Sequence, residues 1–366
     1  VKRVQAVLEQ PRLAELHEYF RNDVVVRGPS VNLRNVALAT AIVYPVILAD
    51  RLEILIDIGE QVHQYVHEIR AEDLEDLVND FRYNLERDQG DDEYKEIGEE
   101  LYDLVFAEAE SLLQEKNIET LLVIPDGILR TIPFAAIYDG DEFMIQKYAL
   151  ATTPGISLTF PKRLDVTEAT LFAGGISHSV QGFSSLPGVP VELDKLKDSH
   201  GAEVLHNEEF QSSTIQAQLS SEDYSIVHIA THGHFDSNPQ ASYLLTYEDK
   251  LTIDLLEQSI GSRRHNDHPL DLLVLSACET AVGDNRAALG LAGVALKAGA
   301  RSAIATLWQI SDAATVLIIG HFYEQSSLEH QSKAQALRIA QNDLINSERH
   351  SHPTDCAPFL LIGNWL

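Results

Sequence analysis

Two apolar runs, each followed within two residues by a side chain that can do chemistry, constrain the fold of this 366-residue chain most strongly. Residues 225–230 lead into His232, and residues 271–276 lead into Cys278. Each run has the length and the β-rich composition of a buried parallel strand. Ligands of open α/β sheets bind outside the carboxyl ends of the strands. The two runs therefore predict one crevice that holds an imidazole and a thiol, a base and a nucleophile.

The order of the other elements predicts an α/β fold with two regions. From residue 170 onward, strand patterns alternate with helix patterns, which favours a mostly parallel sheet. This α/β half is expected over residues 166–366, and an α+β half is expected over residues 1–165. The elements predicted for the first half are a β-hairpin over 37–58, helices over 61–87 and about 93–115, and a buried strand over 120–124.

The charge of the chain limits its partners. The chain has 27 basic and 56 acidic residues, which gives a net charge of −29 with histidine neutral. Such a charge repels phosphate backbones and anionic lipid surfaces, so direct binding to nucleic acid or to a membrane is disfavoured. A basic substrate or partner protein is attracted instead, although most of the acidic residues are expected to form a solvated surface.

The number of cysteines and the first residues of the chain bear on the cellular compartment of the protein. Cys278 and Cys356 are the two cysteines, too few for a disulfide framework. A cysteine nucleophile needs a compartment that keeps it reduced, which predicts the cytoplasm. No apolar run reaches membrane-spanning length, and residues 1–7 lack the apolar core of a signal peptide. Because the sequence does not begin with Met, we expect a fragment or a processed chain.

Four motifs surround the predicted crevice. They are His-Ile-Ala-Thr-His-Gly at 228–233, Leu-Ser-Ala-Cys-Glu-Thr-Ala at 275–281, Ala-Leu-Gly-Leu-Ala-Gly at 288–293 and Ala-Gly-Ala-Arg-Ser at 298–302, the last followed by Leu307 and Trp308. Together they resemble the signature of the CHAT family, caspase-like cysteine peptidases often attached to TPR repeats. A weaker stretch at 123–134 also fits, and the resemblance covers most of the chain.

The resemblance carries implications for the fold and for regulation. It implies a caspase-like three-layer sandwich, the fold shared with the caspase and separase peptidases. It also implies that residues 1–165 form a pseudo-protease-like half beneath the catalytic half. TPR repeats upstream, or a partner protein, would then control the peptidase in bacterial signalling, development or defence.

Peptide cleavage by a thiol needs three groups, and the sequence offers candidates for each. Cys278 is the predicted nucleophile, and His232 is the base that later protonates the leaving amine. The backbone N–H groups of Gly233 and Cys278 are the predicted oxyanion donors. Cys278 follows His232 by 46 positions, close to the spacing of about 50 typical of caspases. This chemistry needs no metal and no cofactor.

The cysteines and histidines also allow structural and metal-binding interpretations. A lone cysteine is usually a buried structural residue, and Cys356 is expected to be one. Strand alternation predicts His228 as a core residue, whereas His234 shares the loop of His232 and could be mistaken for the base. Three histidines within seven positions suggest a metal site, but no cysteine or carboxylate completes a recognised spacing.

Four residues near the crevice are candidates for substrate binding. Glu279 and Asp284 follow the nucleophile, and Asp312 follows the strand that ends at Trp308. In caspase-like folds the end of that strand borders the pocket for the residue before the cleaved bond. Asp312 is therefore the first candidate for binding a Lys or Arg side chain there, and Asp284 is the second. A helix N-cap is an equally good explanation of Asp312.

Two upstream patterns are interpreted as structural. Asp126 lies in Pro-Asp-Gly, a standard turn sequence, which is favoured over a role as a site carboxylate. The strand at 170–175 ends in Gly174 and Gly175, which predict a tight turn or a groove floor. A nucleotide site is weakly supported there, because the glycine spacing and lysine of the known phosphate loops are absent.

Two rival functions remain open. The first is a catalytically silent scaffold, in which the acidic surface binds a partner protein. The second is another cysteine hydrolase of α/β fold, such as a glutamine amidotransferase. That class expects glycines on both sides of the cysteine and a later histidine, whereas Ser276 and Glu279 flank this motif and His232 comes first.

Overall fold

The computed structural model describes residues 9–10, 14–15, 18, 39–59, 61–87, 92–159, 161–164, 166, 169–236, 238–261, 270–276, 279–280, 299–328 and 330–366. Fifteen strands lie in this part of the chain. They are β1 (Thr40–Ile47), β2 (Leu52–Ile58), β3 (Gln61–His67), β4 (Thr120–Val123), β5 (Ala149–Thr152), β6 (Leu171–Gly175), β7 (Glu203–His206), β8 (Ile226–Ala230), β9 (Gly233–Phe235), β10 (Tyr243–Leu245), β11 (Lys250–Thr252), β12 (Leu272–Ser276), β13 (Glu279–Thr280), β14 (Ser302–Thr306) and β15 (Phe359–Gly363).

The α-helices are numbered here among the described residues. They are α1 (Ala71–Glu86), α2 (Glu93–Val105), α3 (Glu110–Glu115), α4 (Met144–Lys147), α5 (Val189–His200), α6 (Ser212–Ser221), α7 (Ile253–Gly261), α8 (Asp312–Ser326) and α9 (Lys333–Ile345).

Eleven of the strands form one sheet, in the order β3-β2-β1-β4-β5-β15-β14-β12-β8-β6-β7. The strands β14, β12, β8, β6 and β7 are parallel to one another, and so are β1, β4 and β5. The prediction of a mixed α/β fold with a large, mostly parallel sheet is confirmed.

Strand β15 lies between the two parallel sets and reverses the strand direction. It pairs antiparallel with β14 over five residues and parallel with β5 at one position, Ile362 opposite Thr152. The sheet and its core continue across residue 165, and the two-region division at that residue stays a prediction.

Apolar side chains fill both faces of the sheet near the crevice. Along β12, Leu272 and Val274 contact the cluster that includes α5, α8 and α9, whereas Leu273 and Leu275 contact the cluster that includes α6 and α7. A strand buried on both faces needs no polar alternation. The sheet is therefore the middle of three layers in this part of the molecule.

The prediction of a helix beginning at Gln61 was wrong for its first turns. Residues Gln61–His67 form β3, which pairs antiparallel with β2, and the helix begins at Ala71. The predicted hairpin is therefore the first part of a three-stranded antiparallel unit. Strand β3 lies at the end of the sheet and is partly exposed on both faces, so tertiary pairing overrides its local pattern.

A second sheet lies beside the main one, in the order β11-β10-β9-β13. Strands β10 and β11 form an antiparallel hairpin, and α7 follows directly. Strand β9 begins at Gly233, immediately after His232. In the part of the chain that the structure describes, no helix combines the length and the apolar character needed to cross a lipid bilayer.

Candidate functional site

The register of two neighbouring strands places the two predicted catalytic loops at one edge of the sheet. Strands β8 and β12 are parallel, with Ser276 opposite Ala230, and the N–H of Thr231 donates to the carbonyl of Ser276 at 3.2 Å. Past the ends of these strands the same two segments pair again as β9 and β13, with Glu279 opposite His234. The residues on both sides of position 278 are therefore aligned with those on both sides of His232.

Some of the predicted site residues lie beyond what the structure describes. Cys278 and Asp284 lie outside the described residues, and for Glu279 the backbone pairing is described without its side chain. Their predicted roles as nucleophile and as substrate-binding residues stay predictions.

His232 is buried, with 7% of its surface exposed, and its ring is held in a defined orientation. Nε2 lies 2.9 Å from the carbonyl oxygen of Ser184, and the ring of Phe183 packs against the imidazole with centroids 5.1 Å apart. A carbonyl oxygen only accepts hydrogen bonds, so Nε2 carries the proton. In the neutral ring Nδ1 is then unprotonated, and no described residue hydrogen-bonds to it. This nitrogen can accept a proton.

The carbonyl of Ser184 belongs to a loop, residues 177–188, whose start is anchored by Asn207. The side-chain oxygen of Asn207 accepts hydrogen bonds from the backbone N–H groups of Ser177 at 2.9 Å and His178 at 3.2 Å. Asn207 is buried and adopts a left-handed backbone conformation, with φ of 51°. Asparagine tolerates this conformation better than most residues do. The loop therefore leaves β6 in a fixed direction.

The middle and the end of the same loop are anchored as well. The side-chain amide of Gln181 donates to the carbonyls of Thr246 at 2.7 Å and Asp249 at 3.1 Å, at the turn between β10 and β11. At the other end, the N–H of Gly188 donates to the carboxylate of Asp312. Three attachments therefore hold the carbonyl that orients His232.

Asp312 contacts this loop from the first turn of α8. Ser311 is the N-cap of the helix, since its hydroxyl accepts from the N–H of Ala314 at 3.2 Å. Burial raises the pKa of Asp312, and Glu192 raises it further, while the Gly188 N–H and His232 act in the opposite direction. The N-cap explanation of Asp312 is therefore wrong, and its carboxylate lies in the electrostatic field of the predicted base.

The neighbouring histidines occupy different environments from that of His232. His228 is fully buried within β8, as strand alternation predicts, and its Nε2 lies 2.9 Å from Glu192 Oε1. His234 is partly exposed, with Nε2 3.6 Å from Asp236 and its ring against Tyr243. Among these three, His232 is the one whose ring contacts the 177–188 loop.

Trp308 and Cys356 are both buried. The indole N–H of Trp308 donates to the carbonyl of Thr354 at 3.3 Å, and the guanidinium of Arg82 lies 5.8 Å from the ring centre. A role of Trp308 toward a substrate stays a prediction. Burial raises the pKa of the Cys356 thiol, which favours the unreactive protonated form.

The glycine pair that ends β6 allows close packing beside this loop. A side chain at Gly175 would collide with the carbonyl oxygen of Ala230, and one at Gly174 would lie 2.5 Å from the ring of Phe210. The interpretation of these glycines as part of a tightly packed floor fits this geometry.

The residues that anchor the 177–188 loop were not predicted from the sequence. Ser184 acts through its backbone carbonyl, which any residue supplies, and Gln181 and Asn207 are surface-type residues in loops. A fixed imidazole does imply a partner for its second nitrogen. That requirement is the one signal that could have directed a search for a carbonyl or carboxylate near His232.

Comparison with known proteins places this geometry in a family. A family model described as "CHAT domain" matches residues 95–364. Human tetratricopeptide repeat protein 28 is 24% identical over 323 residues, which cover 72% of this chain and 13% of that protein. The chain therefore spans a small part of this curated relative.

Two crystal structures of the Saccharomyces cerevisiae separase–securin complex have a similar fold. They give TM-scores of 0.55 and 0.51, each at 9% sequence identity, and cover 98% and 89% of this chain. The match covers 31% and 30% of the chains in those structures. At this identity the likeness concerns the fold, which is the caspase-like one.

Proposed function

This chain belongs to the CHAT domain family, and from that premise we propose that it is a cysteine endopeptidase with Cys278 as nucleophile and His232 as general base. The observation that carries the proposal is the paired register around the two residues, Ser276 opposite Ala230 and Glu279 opposite His234. From this register we infer that the thiol of Cys278, one residue before Glu279, faces the imidazole of His232, two residues before His234.

In the proposed reaction, Nδ1 of His232 takes the thiol proton, and the thiolate of Cys278 attacks the scissile carbonyl carbon. The N–H groups of Gly233 and Cys278 stabilise the oxyanion that forms. The imidazolium then gives its proton to the leaving amine as the C–N bond breaks, which leaves a thioester. Water, deprotonated by Nδ1, hydrolyses this thioester and restores the thiol.

The carbonyl of Ser184 has a supporting role in this scheme. By accepting from Nε2 it keeps the proton on that nitrogen and leaves Nδ1 to act as the base. It also stabilises the imidazolium, because a protonated ring donates a stronger hydrogen bond to the same oxygen.

The test compares wild type, Cys278→Ala and His232→Ala on a diverse peptide library, with cleavage sites read by mass spectrometry. We expect cleavage by the wild type, and its loss in both variants. Labelling by an electrophilic peptide provides a second measurement, which needs the activated thiol without turnover. Absence of both cleavage and labelling in the wild type would favour a non-enzymatic scaffold.

We further propose that the substrate is a protein with a basic residue before the cleaved bond. The acidic net charge of −29 attracts such a segment, and the carboxylate of Asp312 lies beside the loop that contacts His232. Asp284 and Glu279 are second candidates for the same contact.

Because Asp312 also holds Gly188, its two possible roles need separate measurements. If Asp312 binds the basic side chain, Asp312→Asn lowers kcat/KM for an Arg peptide and spares a matched neutral peptide. If Asp312 acts through the loop alone, both peptides lose activity by the same factor. Equal losses would overturn the proposed specificity and leave the peptidase intact.

Regulation by a protein partner completes the proposal. One relative is a tetratricopeptide repeat protein, and separase is found in a complex with securin. We propose that attached repeats or a partner control this peptidase in a signalling, developmental or defence pathway, in the reducing cytoplasm that a free thiol requires. Activation of cleavage by an added partner, with Cys278→Ala as the control, is the measurement.

A further inference from the structure

A cavity of about 480 Å³ lies between helices α5 and α8. This volume is within the range of about 300–1,000 Å³ typical of small-molecule sites. Its lining residues lie between positions 192 and 200 on α5 and between 316 and 327 on α8, and none belongs to the 177–188 loop. The cavity is therefore separate from the proposed catalytic crevice.

The wall of the cavity includes a buried carboxylate that is short of hydrogen-bond donors. Glu192 has 4% of its surface exposed. Its Oε1 lies 2.9 Å from His228 Nε2, but the two atoms are not aligned for a hydrogen bond. No described residue donates to the other oxygen of Glu192. A buried carboxylate with one close contact is short of partners, so a ligand N–H or ammonium there would supply what the protein does not.

Tyr323 and His228 lie beside Glu192. The hydroxyl of Tyr323 lies 3.3 Å from Nδ1 of His228, and Tyr323 itself lines the cavity. Burial raises the pKa of Tyr323, and the charge of Glu192 raises it further. Tyr323 is therefore a neutral hydroxyl, and Glu192 is the buried carboxylate of the cavity wall.

A cationic group also lines the cavity. Lys195, exposed and three positions after Glu192 on α5, has no ion-pair partner among the described residues. His200 packs against the ring of Tyr323 with centroids 5.6 Å apart, and burial together with Lys195 lowers its pKa. The exposed carboxylate of Glu324 also lines the cavity. The ammonium of Lys195 is the natural partner for a ligand carboxylate.

A glycine inside α8 makes room for this arrangement. A Cβ at Gly320 would lie 2.6 Å from Nζ of Lys195, so the lysine side chain lies directly against the glycine. Glycine weakens a helix interior relative to alanine. The apolar part of the wall is formed by Leu196, Val316 and Ile319.

We propose that this cavity binds a small zwitterion of the amino-acid or short-peptide class. The ligand ammonium pairs with Glu192, the ligand carboxylate pairs with Lys195, and the carbon chain contacts the apolar wall. The proposal does not depend on peptidase activity, and its test measures binding to the full chain.

The probes are glycine, leucine, 4-aminobutanoate, 6-aminohexanoate and the dipeptide Gly-Leu, measured by isothermal titration calorimetry. Hexylamine and 6-acetamidohexanoate serve as controls, since each keeps one charged group. We expect saturable binding of at least one zwitterion, at least tenfold tighter than either control. Preference for leucine or for Gly-Leu distinguishes a free amino acid from a short peptide as the source of the ligand.

Three variants locate the site, with a fourth as the matched control. Glu192→Gln and Lys195→Met are each expected to weaken binding at least tenfold, and Gly320→Leu fills the cavity and abolishes it. Lys197→Met removes a neighbouring exposed lysine of α5 that does not line the cavity, and leaves binding unchanged. Melting temperatures verify that each variant folds, and Gly320→Leu keeps both charged residues.

Two results would overturn the proposal. One is the absence of saturable binding by every zwitterion up to about 10 mM, well above the millimolar affinities of weak specific ligands. The other is binding that survives in the folded Gly320→Leu variant, which would place the ligand elsewhere.

Discussion

The loops that follow β4 and β8 in the eleven-stranded sheet are both polar, yet they use their side chains differently. After β4, Asp126 accepts from the N–H of Ile47 at 3.2 Å. Arg130 pairs with both oxygens of Glu15 at 2.8 Å. After β8, Nε2 of His232 contacts the carbonyl of Ser184, and Nδ1 has no hydrogen-bond partner among the described residues.

The difference shows what converts a strand end into a reactive site. Both loops satisfy backbone groups with side chains, which stabilises them. In the loop after β4, Arg130 pairs with Glu15. In the loop after β8, Asn207, Gln181 and Asp312 anchor residues 177–188, and none of these contacts involves Nδ1 of His232.

The largest expected effect separates the two thiols. Iodoacetamide should label Cys278 at least about 100-fold faster than Cys356, because burial and a raised pKa keep the Cys356 thiol protonated and inaccessible. Intact-mass spectrometry of Cys278→Ala and Cys356→Ala measures each thiol by itself. Comparable labelling rates in the native state would contradict this assignment, and equal rates in urea are the control.

The next effect concerns the loop that orients His232. Asn207→Ala should lower kcat by about tenfold, a fraction of the 10²–10⁴ that a positioned base contributes. The pH profile of kcat/KM should also shift, because Ser184 no longer holds Nε2 in place. Asn84→Ala, at an asparagine that donates to Asp80 of its own helix, is the matched control. A loss of stability with an unchanged pH profile would reduce Asn207 to a structural role.

A smaller effect is expected in the loop after β4. Arg130→Met removes a paired, nearly buried guanidinium and should lower the free energy of unfolding by about 2 kcal/mol, typical of a charged hydrogen bond. Cleavage should stay within about twofold of wild type, because this loop has no part in the chemistry. Urea unfolding and peptide turnover are measured on the same samples, with the exposed Arg87→Met as control. A large loss of turnover at full stability would remove the contrast between the two loops.

The last effect is a pH dependence at the start of α9. Burial lowers the pKa of Lys333 to about 7, well below its unfolded value. Between these values the unfolded chain binds more protons, so stability rises with pH, by roughly 1 kcal/mol per pH unit. Relative to Lys333→Met, the wild type should therefore gain stability as the pH rises from 7 to 9. A constant gap between the two urea-unfolding curves would contradict the lowered pKa.

The sequence predicts the central strands well because burial on both faces leaves an unambiguous apolar run. Strand β3 was missed for a physical reason. Val62, Tyr65, Val66 and Ile69 follow a helical spacing, and an edge strand exposed on both faces imposes no alternation against it. Pairing with β2, which depends on distant residues, decides the outcome.

Some residues of the site could likewise be predicted from the sequence and others could not. His232 and its position after β8 follow from a local run of residues. The anchors do not, because Asn207 and Thr246 are distant in sequence from the loop they hold, and Ser184 contributes a backbone atom. The start of α8 is a further example. Ser311 and Asp312 are adjacent and both suit a helix N-cap, but Ser311 caps the helix and Asp312 accepts from the N–H of Gly188.

The position of β15 has a consequence for how the chain is made. Its neighbours in the sheet, β5 and β14, leave the ribosome first, and β15 follows β14 by more than 50 residues and β5 by more than 200. At synthesis rates of about 5–20 residues per second, the edge of β14 stays unpaired for several seconds and the edge of β5 for roughly 10–40 seconds. During that interval each presents unpaired backbone groups to other nascent chains. The pairing of β15 with β5 and β14 is therefore a late event in the folding of the newly synthesised chain.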